Sequence, residues 1–230
     1  MSARSRSRDA IARVAKALGE ERARVMFVGG TALALFDFDE RVSIRPTLDV
    51  DCVVDARSLQ DYYAFVDRLR ARGFGPCSDE GAPLCRLVVD GIRVDVMGTI
   101  DTPIGPANRW YADAIATARP VSLSDMTVRT ITPLLFVATK LEAFHSCGEG
   151  RFVDSHDLED LLTVIACMPS VRDAIDAANS EAARSIREEL EVLAALESFR
   201  DAVWGHFEGD DAGQRRAALV LDWLRALAKV

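Results

Sequence analysis

Hydrophobic positions recur along this chain with two periods, that of a helix and that of a strand. Residues 9–19 carry apolar side chains at helical spacing, and residues 24–30, RVMFVGG, follow as a short β-branched and aromatic run that ends on two glycines. Residues 48–54, LDVDCVV, alternate as a strand does, and residues 58–72 return to the helical period. This order predicts a helix, two strands and a second helix.

A β-hairpin is predicted over residues 84–97. The runs LCRLVV and IRVDVM flank Asp90-Gly91, a pair that the type I′ turn prefers because both of its central residues need a positive φ. Residues 31–38, TALALFDF, predict a helix that begins at the glycines after the first strand. The first half of the chain therefore predicts a mixed sheet with helices on it.

Strand patterns stop after Pro133, and stretches with helical spacing follow. They are PLLFVATKLEAF, DLEDLLTVIACM, VRDAIDAAN, EAARSIREELEVLAALESFRDAVWGHF and, after a GDDAG break, AGQRRAALVLDWLRALAKV. DTPIGPAN, residues 101–108, predicts a loop near the domain boundary. We predict an α+β fold, with a mixed β-sheet and flanking helices over residues 1–130 and a C-terminal helical bundle over residues 131–230.

Composition narrows the class of protein. The chain has 230 residues, of which 49% are hydrophobic and 28% charged, a balance typical of a folded globular chain. No apolar run approaches the ~20 residues that span a bilayer, and no apolar run follows the charged start MSARSRSRDA, so we expect a cytoplasmic protein with no membrane partner. The net charge of −8 argues against extended duplex binding and leaves contact with a short RNA end open.

The beginning of the chain is locally basic. Arg4, Arg6 and Arg8 form an RSRSR run. We expect this run to be a disordered, solubilising tail. The alternative is that these arginines hold the backbone of a single-stranded RNA end together with Arg22, Arg24 and Arg45.

Gly29, Gly30 and Thr31 follow the first predicted strand. Two glycines let the backbone turn tightly and approach a ligand closely. The helix that follows would present unpaired N–H groups to a phosphate, and Thr31 would add a hydroxyl at the helix cap. A simple tight turn is the alternative interpretation, and the motif alone does not decide between the two.

Two carboxylates lie on one face of the second predicted strand. Side chains alternate along a strand, so Asp49 and Asp51 project from the same side. Their repulsion costs stability unless a cation neutralises it, and oxygen ligands at this density suit Mg²⁺. Asp95, in the hairpin strand IRVDVM, would join them if its strand lies beside theirs. A solvated strand face is the alternative for each of these residues.

Together, the three features predict a nucleotidyl-transfer site. A glycine turn would hold a triphosphate, and Asp49, Asp51 and Asp95 would hold two Mg²⁺ ions with the NTP bound. Asp95 would also accept the proton of the attacking hydroxyl. Little further protein chemistry is needed, because phosphoryl transfer depends mainly on positioning and charge neutralisation.

The segments FVGGTALALF, RPTLDVDCVV and RVDVM resemble the nucleotidyltransferase superfamily that includes DNA polymerase beta. The GGTALAL wording and the Arg-x-Thr-x-Asp-x-Asp form, which begins at Arg45, resemble its AbiEii/AbiGii branch, which contains the toxins of bacterial toxin–antitoxin pairs. The resemblance covers roughly residues 24–165. It implies Asp49, Asp51 and Asp95 as catalytic residues and Arg45 as part of the nucleotide site with the glycine turn.

Further matches lie in the helical half. Lys140 in LLFVATKLEAF, followed by Asp157 and Asp160 in DSHDLEDLL, resembles the branch's lysine helix and its acidic helix. The resemblance implies that Lys140 contacts nucleotide phosphates and that the acidic residues support the site. A surface lysine and two solvated acids near a helix N-terminus are the alternative.

These features predict an Mg²⁺-dependent enzyme that moves a nucleoside monophosphate from an NTP to a hydroxyl. The resemblance implies a tRNA or other RNA 3′ end as acceptor and a cognate antitoxin protein as partner. A small-molecule acceptor, as in antibiotic-modifying nucleotidyltransferases, is one alternative. A non-catalytic nucleotide-binding or regulatory protein on the same fold is the other.

Overall fold

The computed structural model describes residues 2–39, 41–100, 108–147 and 150–228. The chain divides into two compact units. The first comprises Met1–Asp37 and Ser43–Thr132, and the second comprises Phe38–Val42 and Pro133–Val230. The sequence pattern predicts a division at residue 130 and gives no sign that residues 38–42 group with the helical unit.

The first unit is built on a mixed sheet, which confirms the predicted α+β class. Within the described residues its strands are β1 (Val25–Val28), β2 (Asp49–Val54), β3 (Gly75–Pro76), β4 (Arg86–Val89), β5 (Ile92–Gly98), β6 (Arg119–Leu123) and β7 (Met126–Thr130). Their order across the sheet is β3-β4-β5-β2-β1-β7-β6. At the centre, β2 pairs with β1 antiparallel and with β5 parallel, so residues far apart in sequence become neighbours.

Helices of the first unit pack on this sheet through apolar stripes. They are α1 (Ala3–Leu18), α2 (Gly29–Ala32), α3 (Leu59–Arg70) and α4 (Tyr111–Ala116), with 3-10 turns at Gly19–Arg24 and Leu33–Leu35. The Ser58 hydroxyl accepts a hydrogen bond from the Asp61 N–H and so caps α3, as its sequence position suggests.

The RSRSR run lies inside helix α1, so the predicted disordered tail is wrong. Ser2 caps this helix by accepting from the Ser5 N–H. Ser7 is buried, and the Arg8 Nη1 donates to the Ala34 carbonyl at 3.0 Å. Charge density suggested disorder, but the buried stripe of α1, which includes Ile11, continues back into the run and holds it in the fold.

The predicted hairpin is confirmed, and a second hairpin was missed. Val89 pairs with Ile92 around Asp90 and Gly91, which have φ values of 50° and 74°. The missed hairpin joins β6 to β7, in a stretch where the sequence pattern predicts neither a helix nor a strand. Its signal was present, because apolar residues alternate on both sides of a turn at Ser124, whose φ is 56°. The loop predicted at 101–108 lies outside the described residues apart from Asn108.

The second unit is helical. Its described helices are α5 (Pro133–Cys147), α6 (His156–Cys167), α7 (Pro169–Ala177), α8 (Glu181–Ala195), α9 (Glu197–Val203) and α10 (Asp211–Ala228), with a 3-10 turn at Trp204–His206. Helix α5 packs on α6 and α8, and α10 packs on the same two helices. Their shared core includes Phe136, Phe144, Leu161, Leu190 and Leu224.

The single helix predicted over residues 181–207 is wrong, because Leu196 breaks it. Leu196 adopts an extended conformation, with φ −82° and ψ 122°. The Arg200 Nη1 donates to the Ala194 carbonyl at 2.6 Å and satisfies an oxygen that the end of α8 leaves without a helical partner. Neither glycine nor proline marks this break in the sequence.

Across the described helices, none combines the length and the apolar character that a membrane crossing requires.

Candidate active site

The predicted site residues fall into two groups, one in each unit. The group in the first unit comprises Gly29, Gly30, Thr31, Arg45, Asp49, Asp51 and Asp95. The group in the second unit comprises Lys140, Asp157 and Asp160.

The three aspartates of the first unit lie on one face of two neighbouring strands. In the parallel pairing of β2 with β5, Asp51 is directly opposite Asp95. Paired residues project from the same face of a sheet, and Asp49 shares that face because it lies two residues before Asp51. The strand of Asp95 therefore lies beside the strand of Asp49 and Asp51, which is the arrangement that the predicted three-carboxylate site needs.

Gly29 places the chain directly against Asp51. It follows β1, whose last residue, Val28, pairs with Asp51. Its φ is +64°, a conformation that favours glycine. A β-carbon built on Gly29 would lie 1.9 Å from the Asp51 Oδ2. The glycine at this position is therefore required both by the backbone conformation and by the carboxylate that occupies the space of a side chain.

Thr31 is not the cap that the sequence suggests. Helix α2 begins at Gly29, so its cap position is Val28 and no side chain caps it. Thr31 lies within the turn at 1% exposure, and its hydroxyl has no hydrogen-bond partner among the described residues. Gly30 is also buried. In this arrangement the Thr31 hydroxyl is not presented to solvent.

Arg86 is the residue of this site that sequence reasoning missed. It lies on β4 opposite Asp95 in the antiparallel pairing with β5. Its Nε and Nη2 donate to the two oxygens of Asp95 at 2.7 Å each. The same Nη2 donates to the Asp49 Oδ2 at 3.0 Å. A signal did exist, because a two-residue turn at Asp90-Gly91 fixes the hairpin register and places Arg86 opposite Asp95.

The charges of this group are only partly screened by solvent. The side chains of Arg86, Asp95 and Asp49 are 20%, 13% and 30% exposed. The hydrogen bond to Asp95 raises the pKa of Arg86 above its ordinary value, against the burial that lowers it. Burial also raises the pKa of the neighbouring Cys52 thiol, with further contributions from the Asp51 and Asp95 charges. Cys52 follows Asp51 on β2, so its side chain projects from the opposite face of the sheet and does not join the carboxylates.

The carboxylates suit Mg²⁺ in chemistry but not in this arrangement. Mg²⁺ prefers carboxylate oxygens in near-octahedral geometry. Here the Arg86 guanidinium holds both oxygens of Asp95 and one oxygen of Asp49. Within the part of the chain that the structure describes, no three His, Cys, Asp or Glu residues are grouped to hold a metal ion. The Mg²⁺ sites remain a prediction, and they require Arg86 to leave.

In the second unit, Lys140 forms a compact ion cluster with the two acids of α6. Its Nζ lies 2.9 Å from the Asp157 Oδ1 and 2.8 Å from the Asp160 Oδ2. The Lys140 side chain is 11% exposed and that of Asp160 is 1% exposed. Burial lowers the pKa of Lys140, but the charges of Asp160 and Asp157 outweigh it, so the net pKa is raised. Lys140 is therefore not an ordinary surface lysine, and Asp160 is not a solvated acid.

The predicted arginines make contacts within the protein. Arg45 is half-buried, and its carbonyl accepts from the Thr47 hydroxyl at 3.4 Å. Arg22 donates to the Gly19 carbonyl at 2.8 Å, and Arg24 pairs with Glu21 at 3.4 Å. An RNA backbone bound by Arg22 and Arg24 would have to compete with these contacts.

Comparison with known proteins gives little beyond this geometry. Neither the protein-family models nor the curated proteins match the chain significantly. Among solved structures, it is similar to an antigenic nucleotidyltransferase-like protein from Paracoccidioides brasiliensis, with 16% identity and a TM-score of 0.49. The match covers 84% of this chain and 90% of that one. At this identity and score the similarity assigns no function to the chain.

Proposed function

We propose that the chain is a nucleotidyltransferase that moves a nucleoside monophosphate from an NTP to a hydroxyl group. One observation carries the proposal: Asp51 lies opposite Asp95 on neighbouring strands and against the backbone of Gly29. A glycine turn beside paired carboxylates combines a place where phosphates can approach the backbone with a cluster of negative charge. Phosphoryl transfer depends on that combination.

The reaction is an in-line displacement at the α-phosphorus. The acceptor hydroxyl oxygen forms a bond to that phosphorus as the bond to the bridging oxygen of pyrophosphate breaks, and pyrophosphate leaves with the electron pair. The hydroxyl proton passes to a carboxylate, for which we propose Asp95. Asp95 can take this role only when Arg86 no longer holds both of its oxygens.

The finer parts of the proposal rest on the motif resemblance. They are Mg²⁺ dependence, an RNA 3′ end as acceptor, and toxin activity in the cytoplasm, which supplies the NTP. A cognate antitoxin protein would neutralise that activity. The support is the Arg-x-Thr-x-Asp-x-Asp form ending at Asp51. The net charge of −8 suits a cationic small-molecule acceptor at least as well as RNA, so both acceptors belong in the test.

A labelling experiment tests the proposal. Purified protein is incubated with Mg²⁺, each α-labelled NTP, and either total tRNA or a set of aminoglycosides, and labelled acceptor and released pyrophosphate are measured. We expect transfer by the wild type, loss in Asp51→Asn, and retention in Asp67→Asn, which alters an exposed acid paired with Arg70 on helix α3 instead. Transfer that persists in Asp51→Asn would overturn the proposal.

The Arg86 contacts favour one second candidate, a non-catalytic nucleotide-binding protein. An arginine that permanently neutralises Asp49 and Asp95 would leave the fold without a cation site. This candidate predicts that an NTP raises the melting temperature without any product forming. Product formation excludes it, and the absence of both product and thermal shift contradicts both candidates.

A further inference from the structure

We infer that Arg86 is a built-in competitor for the divalent cation: its guanidinium closes the carboxylate site, and a cation enters only when it swings away. The inference rests on the proposed function for its biological meaning, but the competition itself concerns residues that the structure brings together. Three observations support it: the position of Arg86 across the strands from the aspartates, the carboxylate oxygens that its guanidinium contacts, and the burial of these side chains.

The pairing of three neighbouring strands places one positive charge beside the carboxylates. Arg86, Asp95 and Asp51 are opposite one another on three consecutive strands, β4, β5 and β2. The backbone pairing therefore fixes the base of the arginine side chain beside the acids. A long and flexible side chain anchored there can reach the carboxylates or leave them without any change in the sheet.

The contact uses the oxygens that a cation would need. The guanidinium donates to both oxygens of Asp95 in a fork and to the facing oxygen of Asp49. A fork of this kind is among the stronger contacts of an arginine with a carboxylate. A cation shared by Asp49 and Asp95 would have to lie within ~2.1 Å of oxygens in the same space. Guanidinium and cation are therefore mutually exclusive occupants.

Burial makes the competition matter. The side chains of Arg86 and Asp95 are only 20% and 13% exposed, so water screens their attraction weakly. Arg70 provides a contrast in the same unit. It pairs with Asp67 at 2.9 Å on helix α3, and those side chains are 55% and 69% exposed. Because this pair is exposed to solvent and lies on a helix, Arg70 serves as a matched control for the loss of one positive charge.

Binding of Mn²⁺ alone, without nucleotide, tests the inference. Free Mn²⁺ is measured by electron paramagnetic resonance for the wild type, Arg86→Met, Arg86→Lys and Arg70→Met. We expect Arg86→Met to bind Mn²⁺ at least about tenfold more tightly than the wild type, because the competing charged hydrogen bonds are gone. Arg70→Met should stay within about twofold, since only the long-range field changes. Adding Asp49→Asn to Arg86→Met should abolish the gain.

Arg86→Lys keeps the inference testable if Arg86→Met fails to fold. An ammonium retains the charge but cannot form the fork, so Mn²⁺ affinity should lie between those of the wild type and Arg86→Met. Equal Mn²⁺ affinity in the wild type and the folded Arg86 variants overturns the inference. So does an equal gain in Arg70→Met.

The outcome is separate from that of the proposed function. If Arg86→Met gains Mn²⁺ affinity but neither it nor the wild type transfers nucleotide, the competition stands and the enzyme assignment fails. If the wild type transfers nucleotide and the Arg86 variants show no change in Mn²⁺ affinity, the enzyme assignment stands and the competition fails.

Discussion

The carboxylate of Asp51 lies against Gly29 on the side from which a β-carbon would project, and its Oδ2 would be 1.9 Å from that atom. Any larger residue at position 29 must therefore displace the carboxylate as well as adopt a positive φ. This couples the conformation of the turn after β1 to the position of a proposed catalytic residue on β2.

Gly29→Ala should lower the free energy of unfolding by about 1–3 kcal/mol, the usual range for a non-glycine residue held in such a conformation. Urea denaturation measures the change. Gly75→Ala is the control, because Gly75 lies in the same unit, has no positive φ, and would find no atom within 4 Å of a new β-carbon. We expect this control to stay within about 1 kcal/mol of the wild type. Equal stability of the two variants would show that the turn tolerates a side chain.

The sequence predicts the parts of this site that depend on residues close together in the chain. It does not predict the parts that depend on contacts between distant strands. Period-two alternation put Asp49 and Asp51 on one face, and Asp90-Gly91 marked the hairpin. The spacing of residues did not predict that β5 lies beside β2, because a helix and two other strands, α3, β3 and β4, separate these strands in the sequence. Arg86 was missed although the hairpin register implied its place opposite Asp95.

Helical elements show the same limit. The lysine of α5 and the acids of α6 were recognised by their motif, but their hydrogen bonds depend on how two helices pack, which no single-helix pattern specifies. The break at Leu196 was missed for another reason. No residue with unusual backbone freedom marks it, and the Arg200 side chain that satisfies the Ala194 carbonyl lies beyond the break.

Lys140→Met should destabilise the protein strongly. It leaves the carboxylate of Asp160, 1% exposed, without its positive partner, and breaking such a buried pair costs about 3–5 kcal/mol. The double variant Lys140→Met, Asp160→Leu should recover most of that loss, since both buried charges are then gone. Chemical denaturation of the single and double variants measures the difference.

Arg151→Met is the matched control for Lys140→Met. Arg151 pairs with Asp154 on the surface of the same unit, with side chains that are 68% and 58% exposed. Solvent screens an exposed pair and its side chains lose rotamer freedom, so this variant should be close to the wild type in stability. A loss as large as that of Lys140→Met would contradict the importance of burial.

Cys85 should make the protein sensitive to alkali. Burial raises the pKa of its thiol from 9.0 to about 11. Above pH 9 the unfolded chain loses this proton while the folded chain keeps it, so the unfolded state binds fewer protons. The free energy of unfolding should therefore fall as pH rises from 9 to 11. In Cys85→Ser this fall should be shallower, as measured by urea denaturation at each pH.

Arg200→Met should loosen the end of helix α8. The variant removes the hydrogen bond to the Ala194 carbonyl, and the loss of one such bond costs about 0.5–1.5 kcal/mol. Because the bond holds the break at Leu196, amide hydrogen exchange should accelerate in the last turn of α8 and the first turn of α9, more than in α10. Arg225→Met, which breaks a pair with Asp222 between side chains 53% and 75% exposed, is the control and should leave exchange in α8 unchanged. Exchange that accelerates equally in both variants would mean that Arg200 is not what ends the helix.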